Sequence, residues 1–212
     1  MDVKICGITD RSALGAAVSA GAAFVGFVFF PKSPRNLDLA TAAVLSRHVP
    51  DHVGRVALVV NADDDTLDAI TSGVGLDMLQ LHGAETPSRV AAVRARTGLP
   101  VMKAVGVATA DDLPALDTYG AVADRVLVDA KPPPGAALPG GNGLAFDWEL
   151  ISGRRWAGPW MLAGGLTPEN AADAARLTGA NALDVSSGVE RSPGLKDPDR
   201  IADFMAALRP HA

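Results

Sequence analysis

The sequence predicts an α/β protein built as a single (β/α)₈ TIM barrel over residues 1–212. Two observations predict this fold class. Short β-branched or apolar runs alternate with Ala-rich stretches of helical patterning along the chain, and eight such runs are present. This alternation predicts parallel strands joined by right-handed helical crossovers, and eight units can close into a barrel. A chain of 212 residues lies at the short end for one such domain.

The elements follow in chain order. The eight predicted strands are Val3–Cys6, Phe24–Phe29, Arg55–Val60, Met78–Leu81, Val101–Val105, Arg125–Val128, Trp160–Ala163 and Ala182–Val185. Apolar residues recur on one face of Asp10–Ala20, which predicts the first helix. A capping residue before Pro predicts three further helix starts, at Thr86-Pro87, Thr167-Pro168 and Asp197-Pro198. Lys131–Gly143 is rich in Pro and Gly and is predicted to be a functional or mobile loop on the rim.

An open doubly wound sheet is the structural alternative to a barrel. Such a sheet usually carries a Gly-rich dinucleotide-binding turn after its first strand. Here the first strand ends in the segment Cys6-Gly7-Ile8-Thr9, which lacks that spacing of glycines. The sequence therefore favours the barrel.

Composition excludes several classes of partner. The net charge is −5 and no block of Lys and Arg is present, so we expect no nucleic-acid partner and no membrane partner. No signal-peptide pattern is visible, and a cytoplasmic location is expected. Cys6 is the single cysteine, so no internal disulfide can form, and Cys and His are too scattered to predict a zinc site. A monomer is the default expectation.

Polar residues at strand ends are the candidates for chemistry, because strand C-termini point into the active site of a barrel. This rule selects Cys6, His82, Asp129 and Asp184. Period-two alternation adds that Lys4 shares a strand face with Cys6. In the same way, Gln80 shares a face with His82. The residues Gln80 and His82 have two equally weighted interpretations, as substrate contacts or as polar groups satisfied by hydrogen bonds at the mouth.

The thiol and one carboxyl group each allow two interpretations. Cys6 is either a small buried hydrophobe or a base or nucleophile whose pKa is lowered by a nearby cation or helix N-terminus. Asp129 follows an apolar strand, where a carboxylate is costly to bury without a partner. It is either a helix cap or an ion-pair partner of Lys131, or else a general acid. The loop that follows cannot be a simple helix cap, which favours the general acid.

Two loops of small residues predict an anion site. They contain Gly164 and Gly165 after the seventh strand, and Ser186, Ser187 and Gly188 after the eighth. Loops at these two positions often bind phosphate with the N-terminus of a short extra helix. A lone Gly-Gly would be read as a turn, but two such loops at the expected places favour phosphate binding. After the second strand, Arg35 is either an ordinary surface cation or a bidentate clamp for a carboxylate.

Seven segments of the chain, taken together, form a specific sequence pattern. They run through the chain as Lys4–Thr9, Gly26–Arg35, Leu79–Gly83, Leu127–Asp129, Phe146–Trp148, Ala163–Leu166 and Asp184–Glu190. With these segments the chain closely resembles the phosphoribosylanthranilate isomerase family of tryptophan biosynthesis. The resemblance implies a barrel of the ribulose-phosphate-binding type. One departure is that the family often has Gly-Thr-Gly-Lys before its Phe-Asp-Trp, whereas Gly140–Ala145 contains no lysine.

The resemblance also implies a reaction and a set of roles. The reaction is the Amadori rearrangement of N-(5-phosphoribosyl)anthranilate, without cofactor. Asp129 matches the general acid that opens the ribose ring, and Cys6 matches the base that removes the C2 proton. Arg35 matches the residue that meets the anthranilate carboxylate, and Asp184 matches one near the ribose hydroxyls. The loops with Gly164, Gly165 and Ser186 to Gly188 match the phosphate site.

Two alternatives stay open at this point. A related phosphate-binding barrel, such as indole-glycerol-phosphate synthase or a sugar isomerase of the histidine pathway, would share the phosphate loops. The first is expected to use strand-end lysines, which are lacking at the positions of Cys6 and Asp129. The second is expected to use two aspartates, one of them where Cys6 stands. A ligand-binding barrel without catalysis is the other alternative.

Overall fold

The computed structural model describes residues 1–133, 135–136, 138–141 and 143–209. Eight parallel strands close a barrel in chain order, and the first strand pairs with both the second and the eighth. The barrel strands are β1 (Asp2–Cys6), β2 (Phe24–Phe29), β3 (Gly54–Val59), β4 (Met78–Leu81), β5 (Val101–Val107), β6 (Arg125–Ala130), β7 (Trp160–Leu162) and β8 (Ala182–Val185). The predicted barrel is confirmed. The first and last residues of each predicted strand differ from those of the observed strand by at most two positions.

Seven α-helices cover the outside of the barrel in the described parts of the chain. They are α1 (Arg11–Ala20), α2 (Leu39–Ser46), α3 (Asp64–Gly73), α4 (Pro87–Thr97), α5 (Leu113–Gly120), α6 (Ala171–Thr178) and α7 (Pro198–Ala207). The prediction of a helical segment between every pair of strands is wrong between β6 and β7. Among the residues described there, a 3₁₀ helix at Trp148–Ile151 is the one helical element. Pro and Gly dominate the preceding segment and disfavour a longer helix.

Helix ends follow local chemistry. The side chain of Asp10 accepts a hydrogen bond from the Ala13 amide at 2.8 Å and so caps α1. The starts predicted at Thr86-Pro87 and Asp197-Pro198 are confirmed for α4 and α7. The start predicted at Pro168 is wrong, because residues 168–170 form a turn and α6 begins at Ala171. Asn170 stabilises this turn by accepting from the Thr167 amide and donating to the Gly165 carbonyl.

The barrel strands present different chemistry on their two faces. On β1 and β2, Val3, Ile5, Val25 and Phe27 belong to the large apolar core under the helices. The alternate residues face the barrel interior, where Cys6 packs with apolar side chains of β2 and β3. Lysine and glutamine side chains also lie in this interior, and a buried polar group must find partners there.

A short antiparallel hairpin of β9 (Glu190–Ser192) and β10 (Leu195–Lys196) follows β8. It was not predicted, because strands of three and two residues carry no detectable alternation. Within the described residues, no helix has the length and apolar character needed to cross a membrane.

Candidate active site

A pocket opens at the carboxyl ends of the barrel strands, with an empty volume of about 780 Å³ including its mouth. The predicted site residues that line it are Cys6, Arg35, His82, Asp129, Gly164, Gly165, Asp184, Ser186 and Ser187. Gln80 and Gly188 are not among the residues that line the pocket. The fold therefore gathers at one place residues that lie far apart in the sequence.

The thiol lies on one side of this pocket with a lysine and an aspartate, which we call the β1–β8 side (Lys4, Cys6 and Asp184). The ammonium of Lys4 is 0% exposed and donates to Asp184 Oδ1 at 3.0 Å. Burial acts to lower the pKa of Lys4, but Asp184 and Cys6 outweigh it and hold that pKa above its ordinary value. The ammonium is therefore a permanent charge inside the barrel.

Burial also governs the thiol, and raises the pKa of Cys6 above its ordinary value. Lys4 acts against burial and favours the thiolate. The two groups meet over Gly26 of β2. A Cβ atom on Gly26 would lie 3.0 Å from Cys6 Sγ and 3.1 Å from Lys4 Nζ. A side chain at this position would crowd both groups, so Gly26 lets them lie close together without displacement.

The carboxyl group lies on the opposite side of the pocket with a histidine and a glutamine, which we call the β4–β6 side (Gln80, His82 and Asp129). Asp129 Oδ2 lies 3.2 Å from His82 Nε2, and Asp129 Oδ1 accepts from the Ala130 amide at 2.8 Å. Gln80 Nε2 lies 2.9 Å from His82 Nδ1. An amide nitrogen donates, so Nδ1 accepts and the proton of a neutral ring lies on Nε2, facing Asp129.

Two of the sequence alternatives for Asp129 are wrong. It lies inside β6 rather than beyond the strand, and it caps no helix. Its predicted ion-pair partner Lys131 instead binds Asp112 Oδ1 at 2.5 Å. Asp129 therefore lines the pocket from β6, and among the described residues no lysine is paired with it.

The loops after β7 and β8 lie side by side at the mouth. Gly164 and Gly165 have φ values of 85° and 62°, which favour glycine. A Cβ atom on Gly188 would overlap with the Leu166 carbonyl oxygen, so the two loops approach to backbone contact. Ser187, Gly188 and Val189 form one 3₁₀ turn. The predicted short extra helix after β8 is thereby confirmed.

Arg35 is buried, and its guanidinium forms an ion pair with a carboxylate of this same chain. Its Nε and Nη2 atoms donate to Glu190 Oε1 and Oε2 at 2.7 and 2.8 Å. Lys196 Nζ donates to the same Oε1 at 2.6 Å, and also to the Ser186 carbonyl. Burial acts to raise the pKa of Glu190, but Arg35 and Lys196 hold it below its ordinary value. The interpretation of Arg35 as an ordinary surface cation is therefore wrong.

Sequence reasoning missed Glu190 as the partner of Arg35, and Lys196 as the second cation that binds Glu190. Glu190 lies 155 residues from Arg35, and no periodicity links them. The available signal was a Glu and a Lys on a short segment after a predicted phosphate loop. The guanidinium edge formed by Nη1 and Nη2 still faces the rim loop, where a Cβ atom on Gly141 would lie 2.8 Å from Nη1.

The predicted rim loop contributes to the pocket. Leu138, Pro139, Gly140, Gly141 and Gly143 line it. Gly140 lies over the β4–β6 side, where a Cβ atom would be 2.5 Å from His82 Nε2. Residues 134, 137 and 142 of this loop are outside the described part of the chain. Within that described part, no group of three or more His, Cys, Asp or Glu side chains could hold a metal ion.

Barrel proteins carry their chemistry at this end of the sheet, so the fold and the pocket define a (β/α)₈-barrel enzyme. The family model described as N-(5'phosphoribosyl)anthranilate (PRA) isomerase matches residues 3–207. The chain belongs to this family.

Curated relatives and solved structures extend the comparison over nearly the whole chain. The chain is 65% identical to the N-(5'-phosphoribosyl)anthranilate isomerase of Cereibacter sphaeroides, covering 98% of each chain. It is 64% identical to that of Paracoccus denitrificans, covering 97% of this chain and 96% of the relative. The crystal structure of the Thermotoga maritima phosphoribosyl anthranilate isomerase is 38% identical, with a TM-score of 0.88 and 98% of each chain covered.

A further solved isomerase structure carries a ligand. It is a complex with reduced 1-(o-carboxyphenylamino)-1-deoxyribulose 5-phosphate, at 36% identity and a TM-score of 0.84, covering 98% of this chain and 97% of the other. That ligand combines a phosphate, an open-chain sugar and an aromatic carboxylate.

Proposed function

We propose that this chain catalyses the Amadori rearrangement of N-(5'-phosphoribosyl)anthranilate to 1-(2-carboxyphenylamino)-1-deoxyribulose 5-phosphate. The observation that carries the proposal is that Cys6 on β1 and Asp129 on β6 line one pocket, three strands apart in the closed barrel. Ring opening needs a proton donor on the sugar, and the following step needs a base. A pair of groups across a single mouth supports both steps.

Ring opening is the first step. In this proposal Asp129 donates a proton to the furanose ring oxygen, the C1–O bond breaks, and the nitrogen lone pair forms a C1=N iminium. His82 and the Ala130 amide hold the Asp129 carboxyl group in one orientation. Each well-placed acid or base group contributes roughly 10²–10⁴-fold in rate.

Proton transfer from carbon is the second step. Cys6, as its thiolate, removes the proton from C2, and the electron pair of that bond forms C1=C2 while the C=N pair returns to nitrogen. The resulting enolamine tautomerises to the ketone. The positive iminium acidifies C2, so the proposed mechanism uses no metal and no cofactor.

Anchoring of the two ends of the substrate completes the proposal. The backbone amides of the loops with Gly164, Gly165 and Ser186 to Gly188 bind the phosphate. Arg35 meets the anthranilate carboxylate through its Nη1 and Nη2 edge, because Glu190 occupies the other edge. Asp184 and His82 lie between the two ends at the ribose, with Gln80 supporting His82 from behind.

The proposal also covers the location, the oligomeric state and the partners of the enzyme. We propose a cytoplasmic monomer whose partner is this one phosphorylated small molecule. The net charge of −5 and the single cysteine support a role without nucleic acid, membrane or disulfide partners. Sedimentation of the purified chain at assay concentration measures the oligomeric state directly.

A fluorescence assay that follows the loss of phosphoribosylanthranilate tests the activity. We expect turnover by the wild type, and a drop of about 10³-fold in kcat for Cys6→Ser, because a hydroxyl is a far weaker base than a thiolate. Binding of the reduced product analogue to Cys6→Ser, measured by calorimetry, should stay close to that of the wild type. Turnover of a different phosphosugar in place of this substrate, or full activity of Cys6→Ser, would contradict the proposal.

A further inference from the structure

The buried ammonium of Lys4 has no role in the mechanism described above. It lies two residues before Cys6 on the inner face of β1 and is fully buried. Asp184 Oδ1 accepts from it at 3.0 Å, and the sulfur of Cys6 lies nearby, since a Cβ atom on Gly26 would lie 3.0 Å from Sγ and 3.1 Å from Nζ. A buried charge is costly, and an apolar residue of the same length would fill this space. The position of the charge, beside the sulfur, is what requires an explanation.

We infer that Lys4 is a positioning residue for the isomerisation, whose ammonium favours the thiolate form of Cys6 that removes the C2 proton. This inference rests on the proposed function. A neutral thiol is too weak a base for a carbon acid, and burial disfavours the thiolate. An ammonium in the low-dielectric interior offsets that effect, because opposite charges attract more strongly there than in water.

The backbone holds the two groups together. Residues two apart on a strand point to the same face, so β1 places both side chains in the interior. Gly26 of the neighbouring β2 leaves the space in which they meet, since a Cβ atom there would lie about 3 Å from both Sγ and Nζ. The juxtaposition follows from two positions on adjacent strands and needs no mobile loop.

Other charged groups also act on the thiol. Asp184 on β8 opposes the thiolate, and Lys196 on β10 favours it. Arg35, His82 and Asp129 line the same pocket. Glu190 neutralises part of the charge of Lys196 at 2.6 Å. Among the charged groups that favour the thiolate, Lys4 has the largest effect on the pKa of Cys6.

Titration of the single cysteine tests this inference without substrate. Because Cys6 is the one cysteine in the sequence, ultraviolet absorbance of the thiolate against pH reports on one sulfur. Lys4→Met removes the charge and keeps the length of the side chain, and Lys4→Arg keeps the charge. Lys103→Met is the matched control, because Lys103 is 2% exposed on β5 and pairs with Glu85 rather than with Asp184 or the thiol.

We expect Lys4→Met to raise the pKa of the thiol by at least about one unit and to lower kcat about 10- to 100-fold near neutral pH. The lost activity should return as pH rises, which a purely structural role would not produce. Lys4→Arg should retain most of the activity, and Lys103→Met should leave the thiol titration unchanged. A folded Lys4→Met protein whose thiol titrates as in the wild type overturns the inference.

Asp184→Asn supplies an independent test with the opposite sign. Removal of this carboxylate should lower the pKa of the thiol, because Asp184 competes for the ammonium and repels the thiolate. If Lys4→Met fails to fold by circular dichroism, an unchanged thiol titration in Asp184→Asn overturns the inference. Failure of the wild type to convert the substrate refutes the proposed function instead, and leaves the titration interpretable.

Discussion

The two sides of the pocket differ in how charge is placed around the reactive group. On the β1–β8 side, a fully buried ammonium lies beside the Cys6 thiol. On the β4–β6 side, the residues described next to Asp129 offer a histidine ring and a backbone amide, and Lys131 binds Asp112 instead. A base needs its anion stabilised before substrate arrives, whereas an acid must keep its proton. The β1–β8 side therefore holds a full positive charge beside its reactive group, whereas the β4–β6 side offers hydrogen-bond donors to Asp129.

The largest effect is expected at Asp129. Asp129→Asn removes the proton donor while keeping the size of the side chain, so we expect kcat to fall about 10³-fold or more with little change in binding. Steady-state kinetics and calorimetry with the reduced product analogue measure the two quantities. Activity within tenfold of the wild type would end the assignment of this side as the acid side.

The next effect probes the proton on His82. Gln80→Glu would place a carboxylate against Nδ1, favour the doubly protonated ring, and so stabilise Asp129 as a carboxylate. We expect kcat to fall about tenfold near neutral pH. Gln80→Met, which adds no charge, is the control and should lose less. A larger loss in Gln80→Met than in Gln80→Glu would show that packing, not charge, is what Gln80 provides.

A third effect is expected at Glu85, which supports the loop that follows His82 on the β4–β6 side. Glu85 binds Lys103 Nζ at 2.9 Å and also accepts from the Asn61 and Gly83 amides, which fixes the loop after His82. Glu85→Gln leaves a buried ammonium without its counter-charge, so the free energy of unfolding should fall by about 3–5 kcal/mol. Urea denaturation near neutral pH measures it, and a loss below about 1 kcal/mol would contradict the expected role.

The same variant has a pH signature. Burial acts to raise the pKa of Glu85, but Lys103 and the backbone amides hold it below its ordinary 4.5. A carboxyl group with a lowered pKa stabilises the fold above about pH 4.5, and this contribution is lost as pH falls through the lowered value. The difference in unfolding free energy between wild type and Glu85→Gln should therefore shrink in acid.

The smallest effect is expected at Lys131. Its side chain is 54% exposed and its ammonium binds Asp112, and exposed ion pairs contribute little. Lys131→Met should change kcat by less than about twofold. A tenfold change in kcat, or a shifted pH profile, would mean that this lysine acts on Asp129 during turnover and would remove the contrast between the two sides.

Much of the fold was predictable, because strands buried on both faces read as continuous apolar runs and the connections carry helix caps. Thr167-Pro168 shows the limit of local signals. The capping pattern is present, but the bonds from Asn170 to Thr167 and Gly165 delay the helix by three residues. Such bonds depend on how the loop after β7 folds back, which a local pattern does not encode.

The site was predictable where strand ends mark it and was not where partners come from distant segments. Cys6 and Asp129 were selected by position, and the structure brings both to one pocket. Lys4 was noted on the face of Cys6, but its pairing with Asp184 depends on the closure of β1 onto β8. The roles assigned to these residues remain predictions until the variants are measured.

The pairing of Glu190 with Arg35 has a consequence for recognition. A free arginine side chain gives up rotamer entropy when it grips a ligand, on the order of 1 kcal/mol. Here two hydrogen bonds to Glu190 immobilise the guanidinium during folding, before any ligand arrives. The Nη1 and Nη2 edge then faces the rim loop at Gly141 in one orientation, so in the proposed role of Arg35 a planar anion would be selected by its approach direction as well as by its charge.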